Sequence, residues 1–279
     1  MLKRNSVIVH FLWTGGWDST FRLLQLVIIL KRTVQPYYII DPDRKSTGHE
    51  TRAMQEIKRQ LLKKIPEVET LLLPTKYSEM GDIYQNIEIT NAYARVRKRI
   101  PIGSQYEFLA RFANQNKLKD LELSLEKGRG SLDQMRILFA DLLDKILVKI
   151  DDSGAINYVM DEKYSGLDIF HIFQYFRFPL RELDKVEMEI ISKERGFYNI
   201  MEYTWFCHRP LKNNTPCGVC TPCTLTVKEG MAHRLPLSSM IRYYLRVILS
   251  REQFKDYFPR VYRFIKNIKG LLNKTIKNI

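Results

Sequence analysis

Near the N-terminus, two glycines are followed closely by an acid and two hydroxyl residues, which are residue types that bind phosphate. Gly15 and Gly16 let a backbone approach a polyphosphate closely, and the start of a following helix attracts negative charge. Asp18 would order Mg²⁺, while Ser19 and Thr20 would donate to phosphate oxygens. The same residues also suit a tight turn with Asp18 or Ser19 as a helix cap. The spacing alone leaves both interpretations open.

The four cysteines of the chain form a second group with the types and spacing of a binding site. They are Cys207, Cys217, Cys220 and Cys223. Four thiolates this close together, with Gly218 and Pro222 shaping tight turns, suit a tetrahedral structural zinc site. Disulfides are disfavoured, because neighbours in sequence are bridged only with strain and because we expect a reducing compartment. An iron–sulfur cluster is the stronger alternative.

Length and composition indicate a soluble globular protein. The chain has 279 residues, of which 45% are hydrophobic and 27% are charged, and this length can bury a sizeable core. No apolar run approaches the roughly 18 residues of a membrane span, and the glycine turn follows too soon for a signal peptide. We therefore expect a cytoplasmic protein without a transmembrane segment.

The net charge of +14 favours anionic partners, and over half of it lies in the C-terminal tail. From Arg242 onward, ten basic residues face two acidic ones, which gives +8 and leaves +6 for the rest. Apolar and basic residues alternate there at helical spacing, with a break at Pro259. The pattern predicts two amphipathic helices packed on the body, with an RNA- or membrane-binding arm as the alternative.

Strand-like and helix-like segments alternate in the first part of the chain, which predicts an α/β fold with a parallel sheet and helices on both faces. Ligands of such sheets lie at the carboxyl ends of the strands, where the sequence places the glycine turn and Asp41. The predicted strands are 7–12, 33–40, 68–73 and 156–160, and the predicted helices are 21–30, 47–64, 104–114 and 180–194.

Three regions follow from this pattern. We predict an α/β domain over residues 1–200, a cysteine knuckle over 201–230 and a basic helical extension over 231–279. Within the first region, residues 74–102 are polar and irregular, with basic residues at 95–99 that suit a solvated face. A charged helical insertion is predicted at about 115–150.

Residues 14–19, Thr-Gly-Gly-Trp-Asp-Ser, resemble the Ser-Gly-Gly-x-Asp-Ser loop of the PP-loop ATP pyrophosphatases, an adenine nucleotide alpha hydrolase-like superfamily. No Gly-Lys-Ser/Thr follows, so this is not a Walker A loop. The resemblance implies a Rossmann-like fold of the HUP type and an enzyme that splits ATP into AMP and pyrophosphate while adenylating a substrate oxygen. The ATP-binding residues that it implies are Leu12, Trp13, Thr14, Gly15, Gly16, Asp18, Ser19, Thr20 and Asp41.

Residues 204–207, Thr-Trp-Phe-Cys, and 217–223, Cys-Gly-Val-Cys-Thr-Pro-Cys, are similar to the zinc knuckle of the 7-cyano-7-deazaguanine synthases. The Lys-x-Glu segment of that family is matched by Lys185 and Glu187, after a matching Pro-Leu at 179–180. Loop and knuckle occur in the same order as in that family, and the similarity covers about residues 6–230. This combination is more specific than either motif alone.

Two departures from that family concern the substrate. The family's Arg-Asn is replaced at residues 103–105, Gly-Ser-Gln, and its Asp-Cys-Arg is replaced at 169–171, Ile-Phe-His. An apolar pair there would leave the polar groups of a purine-like acid without partners. ATP chemistry is therefore better supported than the deazaguanine substrate. The substrate-binding residues that the resemblance implies are Tyr164, Ser165, Gly166 and Asp168, the last standing one position early for the missing acid.

The resemblance implies an ATP-dependent C–N ligase of queuosine biosynthesis. Its acid, 7-carboxy-7-deazaguanine, is adenylated, ammonia forms the amide, and a second ATP dehydrates it to the nitrile. Asp18, Ser19 and Lys185 would be the catalytic residues, although a helix lysine is usually solvated. The expected ligands are structural Zn²⁺, ATP with Mg²⁺, a small carboxylate, and ammonia or another nitrogen donor. Nucleic acid at the basic tail and a homodimer are further possible partners.

Three alternative functions stay open at this stage. The first is a divergent relative that attaches a deazaguanine-like group to another acceptor. The second is a PP-loop enzyme that modifies tRNA, although thiolation usually needs a catalytic cysteine and the knuckle would use all four. The third is a protein that binds nucleotide without turnover.

Overall fold

The computed structural model describes residues 8–100, 102–127, 142–152 and 155–250, together with positions 263 and 267. The chain divides into two compact units. The first unit comprises Met1–Phe206 with Lys228–Met231, and the second comprises Cys207–Val227 with Ala232–Ile279. No helix within the described ranges combines the length and the apolar character that crossing a membrane requires.

A parallel sheet forms the centre of the first unit, and five strands of the described residues build it in the order β3-β2-β1-β4-β7. Its core pair joins β1 to β2, with Val9 opposite Val34 and Leu12 opposite Tyr37. The predicted α/β fold with a parallel sheet is thereby confirmed. The sheet strands are β1 Val9–Leu12, β2 Val34–Ile40, β3 Lys76–Glu79, β4 Leu121–Glu122 and β7 Phe176–Arg177, and a separate antiparallel hairpin pairs β5 Leu147–Asp152 with β6 Ala155–Met160.

Helices cover both faces of this sheet, because successive side chains of a strand point to opposite sides. Phe11 and Tyr38 lie in one apolar core, whereas Leu12, Tyr37 and Ile39 lie in the other. The first core is closed by α1, α2, α6 and α7, and the second by α3, α4 and α5. The helices are α1 Trp17–Leu24, continued by a π-helical turn Gln25–Ile29, α2 Thr47–Lys64, α3 Ile87–Arg99, α4 Gln105–Gln115, α5 Asp168–Phe173, α6 Lys185–Glu194, α7 Tyr198–Met201, α8 Thr221–Lys228 and α9 Leu237–Ser250.

The third strand was predicted in the wrong place. Residues Pro66–Thr70 form a 3₁₀ turn, and Leu72 makes a single bridge to Val34. The strand itself is Lys76–Glu79 at the sheet edge. Its residues are largely exposed and polar, so no apolar pattern marked it.

Two further regions differ from the sequence prediction. The stretch 74–102 is not irregular, since it contains α3, which buries Ile89, Ala92, Tyr93 and Val96 at helical spacing. The range 115–150 is not wholly helical, because β4 and the first residues of β5 lie in it. Residues 128–141 of that range lie outside the described residues.

Other predicted helices are present in the structure, but their boundaries differ from the predicted ones. Helix α1 begins at Trp17, four residues before the predicted start, and α6 begins at Lys185, after an Asp184 cap that closes a capping box with Glu187. The first tail helix corresponds to α9. The predicted break at Pro259 lies outside the described residues, and the three-region division stays a prediction.

Candidate nucleotide site and cysteine cluster

The glycine turn lies where β1 ends and α1 begins, at the carboxyl edge of the sheet. The backbone just before the turn is held by a hydrogen bond from the Trp13 amide to the Tyr37 carbonyl, at 2.9 Å. Gly15 has a φ of +67°, and an added Cβ there would lie 3.0 Å from the Glu50 carbonyl oxygen and 3.0 Å from Met54 Cγ. Glycine is therefore required both by the backbone conformation and by the packing on α2.

The two hydroxyls after the turn have different surroundings. Ser19 Oγ lies 3.4 Å from the Thr14 amide nitrogen and 3.4 Å from the Gly16 carbonyl oxygen, so it borders the turn. Thr20 is fully buried, and its Oγ1 accepts from Trp13 Nε1 at 3.1 Å. Thr20 thus holds Trp13 in place, whereas Ser19 is the hydroxyl beside the glycines.

The Thr-Trp segment that precedes the first cysteine reaches the glycine turn directly. The Trp205 amide donates to the Gly15 carbonyl at 2.9 Å. The Trp205 ring stacks on His49, with ring centroids 4.6 Å apart, and Thr204 Oγ1 donates to the Met201 carbonyl at 2.7 Å. Two motifs that lie 190 positions apart in the sequence are therefore adjacent in the first unit.

Lys185 is the centre of a buried ionic cluster beside α1. Its Nζ is ion-paired with Glu126, lies 2.9 Å from Glu229 Oε2, and lies 3.7 Å from Asp18 Oδ1. The side chain of Lys185 is 17% exposed, and those of Glu126 and Glu229 are 7% and 3% exposed. This lysine is not the solvated helix residue that its position in the sequence suggested.

Burial and opposing charge set the ionisation of this cluster. Burial, followed by the negative charge of Asp18, raises the pKa of Glu126 to about 7. Burial alone would lower the pKa of Lys185, but the charges of Asp18, Glu126 and Glu229 outweigh it and raise that pKa. Lys185 is therefore protonated at neutral pH, and Glu126 is held between its two forms.

The cluster has more negative than positive charge when fully ionised. Three carboxylates face one ammonium, so the formal sum is −2. Asp18 Oδ1 is buried and has no hydrogen-bond partner among the described residues. Hard divalent cations such as Mg²⁺ take carboxylate oxygens of this kind. Asp18 could therefore provide an oxygen ligand to such a cation at the start of α1.

Asp41 lies where β2 ends, at the same edge of the sheet as the glycine turn. Its Oδ1 accepts from the Asp43 amide at 3.0 Å and shapes the loop into α2.

The residues expected to bind the substrate extend from the turn after β6 to the first residue of α5. Ser165 and Gly166 are exposed, and Tyr164 packs partly against the second core. Asp168 is bonded to Arg95, with Nη2 to Oδ1 at 2.6 Å. Asp168 therefore neutralises one member of the basic cluster on α3.

The cysteine cluster forms in the second unit, as the spacing indicated. The four sulfur atoms lie within 4.8 Å of one another. The Cys207 and Cys220 sulfurs are 3.9 Å apart, and those of Cys220 and Cys223 are 3.5 Å apart. Hydrogen bonds among the four sulfurs lower the pKa values of Cys217 and Cys220 and raise those of Cys207 and Cys223, so they favour the metal-binding thiolate form at two of the four cysteines. These sulfurs could hold either a zinc ion or an iron–sulfur cluster.

Sequence reasoning missed Glu126 and Glu229. Glu126 follows the carboxyl end of β4, a strand of two residues that no apolar pattern indicates. Its position is fixed because Arg181 Nη1 donates to the Glu126 carbonyl at 2.7 Å and Lys127 N donates to the Leu183 carbonyl at 2.9 Å. Glu229 follows α8, six residues after the last cysteine. The one sequence signal that could have indicated Glu126 is its position as an acid after a strand of the parallel sheet.

Comparisons with known proteins identify no family. No protein-family model matches the chain, and no curated protein matches it. Among solved structures, the chain is similar to the U34-tRNA thiolase NcsA from Methanococcus maripaludis with its [4Fe-4S] cluster. The identity is 12%, the TM-score is 0.41, and the match covers 89% of this chain and 75% of that one. The fold assignment above accordingly rests on the strand order of this chain.

Proposed function

We propose that the first unit binds ATP with Mg²⁺ and transfers AMP to an oxygen of a carboxylate substrate. In this reaction a carboxylate oxygen attacks the α-phosphorus, the bond from that phosphorus to the bridging oxygen breaks, and pyrophosphate leaves. The observation that carries the proposal is the position of Lys185, Asp18 and two further carboxylates beside a glycine turn that opens a helix.

The charge of the cluster supports a nucleotide that enters with its cation. Three carboxylates would repel a bare polyphosphate, and Lys185 offsets one of them. A divalent cation together with the lysine supplies three positive charges against three negative ones. The start of α1 adds peptide N–H groups that face an anion. A bound divalent cation would therefore remove the negative charge of the cluster that otherwise repels a polyphosphate.

The residues of the site then have separate tasks. Gly15 and Gly16 give the phosphates room to approach the backbone, and Ser19 Oγ is placed to donate to a phosphate oxygen. Asp18 orients the cation, which when bound would neutralise the charge that grows on the leaving pyrophosphate. Lys185 offers a fixed positive charge to the same oxygens. Glu126 and Glu229 position that ammonium group by direct ion pairs.

The finer proposal is a C–N ligase like the 7-cyano-7-deazaguanine synthases, with an amide and then a nitrile as product. It is supported by the order of the glycine loop, the Lys-x-Glu segment and the cysteine knuckle. The contact between Trp205 and Gly15 adds support, because it brings two of these motifs together. The pairing of Asp168 with Arg95 favours a substrate that differs from the family's acid.

For the cysteines, we propose one structural zinc ion. A tetrahedral ion with Zn–S bonds of about 2.3 Å places its sulfurs about 3.8 Å apart. Three of the sulfur separations are 3.5 to 3.9 Å, close to this value, and all four sulfurs lie within 4.8 Å of one another. A four-iron cluster binds its cysteines through four separate irons, which requires wider spacing. Metal and acid-labile sulfide analysis decides between them: one zinc without sulfide is expected, and four irons with sulfide would overturn the proposal.

The test of the enzyme proposal is nucleotide turnover with a panel of carboxylic acids. Wild-type protein should form AMP and pyrophosphate in equal amounts, and Asp18→Asn should reduce the rate at least about 100-fold because the cation is no longer oriented. Asp43→Asn is the matched control, since this exposed acid lies outside the cluster. Formation of ADP and phosphate would contradict adenylation. Bound ATP without turnover would favour the non-catalytic alternative.

A further inference from the structure

Three side chains of α9 bind the backbone of the cysteine loop within the second unit. Arg242 Nε donates to the Cys217 carbonyl at 2.8 Å, and its Nη2 donates to the Pro216 carbonyl at 3.1 Å. The hydroxyl of Ser239 also donates to the Pro216 carbonyl. Arg246 binds the Val219 carbonyl. Two arginines of the basic tail are therefore hydrogen-bonded to this loop.

The loop packs closely against α9. Gly218 has a φ of +78°, and an added Cβ would lie 2.1 Å from the Ser239 carbonyl oxygen. Any side chain at this position would force the two segments apart. The arginine contacts consequently belong to a tightly packed arrangement.

Each arginine donates to the carbonyl of a peptide group whose N–H donates to a cysteine sulfur. The C=O and N–H of a trans peptide point in opposite directions. The Pro216 carbonyl accepts from Arg242, and the N–H of the same peptide, on Cys217, donates to Cys207 Sγ at 3.2 Å. The Val219 carbonyl accepts from Arg246, and the N–H of that peptide, on Cys220, donates to Cys217 Sγ at 3.2 Å. Hydrogen bonds in such chains polarise one another.

The formal charges of the cysteine site and of the two arginines offset each other. Four thiolates and one divalent ion sum to −2, and the two guanidinium groups supply +2. Arg242 is half-buried and binds two carbonyls, whereas Arg246 is exposed and binds one. Arg242 is therefore expected to have a larger effect on the cysteine site than Arg246.

We propose that Arg242, assisted by Arg246, is a positioning residue that sets the metal affinity of the cysteine site through the peptides of the loop. This inference rests on the proposed metal site. It assigns part of the basic tail to metal binding, where the charge pattern alone suggested an anionic partner. Groups that orient metal ligands in this way commonly change metal affinity about 10- to 100-fold.

The test measures Zn²⁺ affinity of the full-length protein by competition with a chromogenic chelator, and Co²⁺ affinity by its absorption bands. Arg242→Ala should lower both affinities about 10- to 100-fold. It should also raise the pH at which half of the metal is released, because the thiolates then lose polarised N–H donors. Arg242→Lys should fall between wild type and alanine, since one ammonium cannot reproduce the planar fork.

Ile241→Ala is the matched control, because this neighbouring side chain on α9 is 51% exposed. It should bind both metals like the wild type. If Arg242→Ala loses helix content by circular dichroism, Arg242→Lys decides the question. Affinities of the lysine variant and of any folded alanine variant within about twofold of wild type would overturn the inference. Failure of the wild type itself to bind either metal would instead refute the proposed metal site.

Discussion

Glu126→Gln tests the electrostatics around Lys185 most sharply. Burial and the charge of Asp18 raise the pKa of Glu126 from 4.5 to about 7. The folded chain therefore binds this proton more tightly than the unfolded chain, and the free energy of unfolding falls as pH rises through this window. Each pH unit contributes up to about 1.4 kcal/mol, so the whole rise in pKa of about 2.5 amounts to about 3.5 kcal/mol. Glutamine keeps the shape but cannot titrate.

Urea unfolding followed by tryptophan fluorescence measures this effect. Trp13 and Trp17 are buried in the first unit and report on its unfolding. Between pH 5 and pH 8, the stability of wild type should fall relative to Glu126→Gln by about 2.5 kcal/mol. A difference that stays constant over this range, or one that grows in favour of wild type at high pH, would refute the assignment of a raised pKa to Glu126.

Three further measurements test the glycine turn, the buried Arg22–Glu122 ion pair and the ionisation of Glu126. Gly15→Ala should lower the unfolding free energy by about 1–2 kcal/mol, since the left-handed backbone disfavours a Cβ; an unchanged urea midpoint would contradict this. Glu122→Leu should cost about 3–5 kcal/mol because Arg22 is left buried without its partner, and adding Arg22→Met should recover much of the loss in the same unfolding assay. Mg²⁺ affinity, measured by calorimetry, should increase as pH rises through about 7, because ionisation of Glu126 adds a negative charge near Asp18; a decrease would place the cation elsewhere.

The fold was predictable where apolar periodicity is strong. The positions of β2 and α2 were predicted within one residue, because β2 is a run of β-formers buried on both faces and α2 buries an apolar stripe at helical spacing. The exposed edge strand β3 and the two-residue β4 carry no such stripe, and their pairing is set by neighbouring strands. Helix α3 was missed because its apolar stripe is short: it buries four residues and is followed by the basic run at 97–99.

The candidate site was predictable to the extent that its residues are close in sequence. The glycine turn and the cysteine cluster are local, and the structure brings each together. Glu126 and Glu229 lie about 100 positions apart, so only the fold joins them to Lys185. The burial of Lys185 could not be predicted from the sequence either, because a lysine in the first turn of a helix is usually solvated.

The most direct test of the central claim is calorimetric titration of the full-length protein with α,β-methylene ATP, which cannot be cleaved between the α- and β-phosphates. We expect one site per chain, with binding that requires Mg²⁺, is weakened by Asp18→Ala and is unaffected by Asp43→Ala. Absence of binding to the wild type in the presence of Mg²⁺, or equal binding by the Asp18 variant, would contradict a nucleotide site at the start of α1.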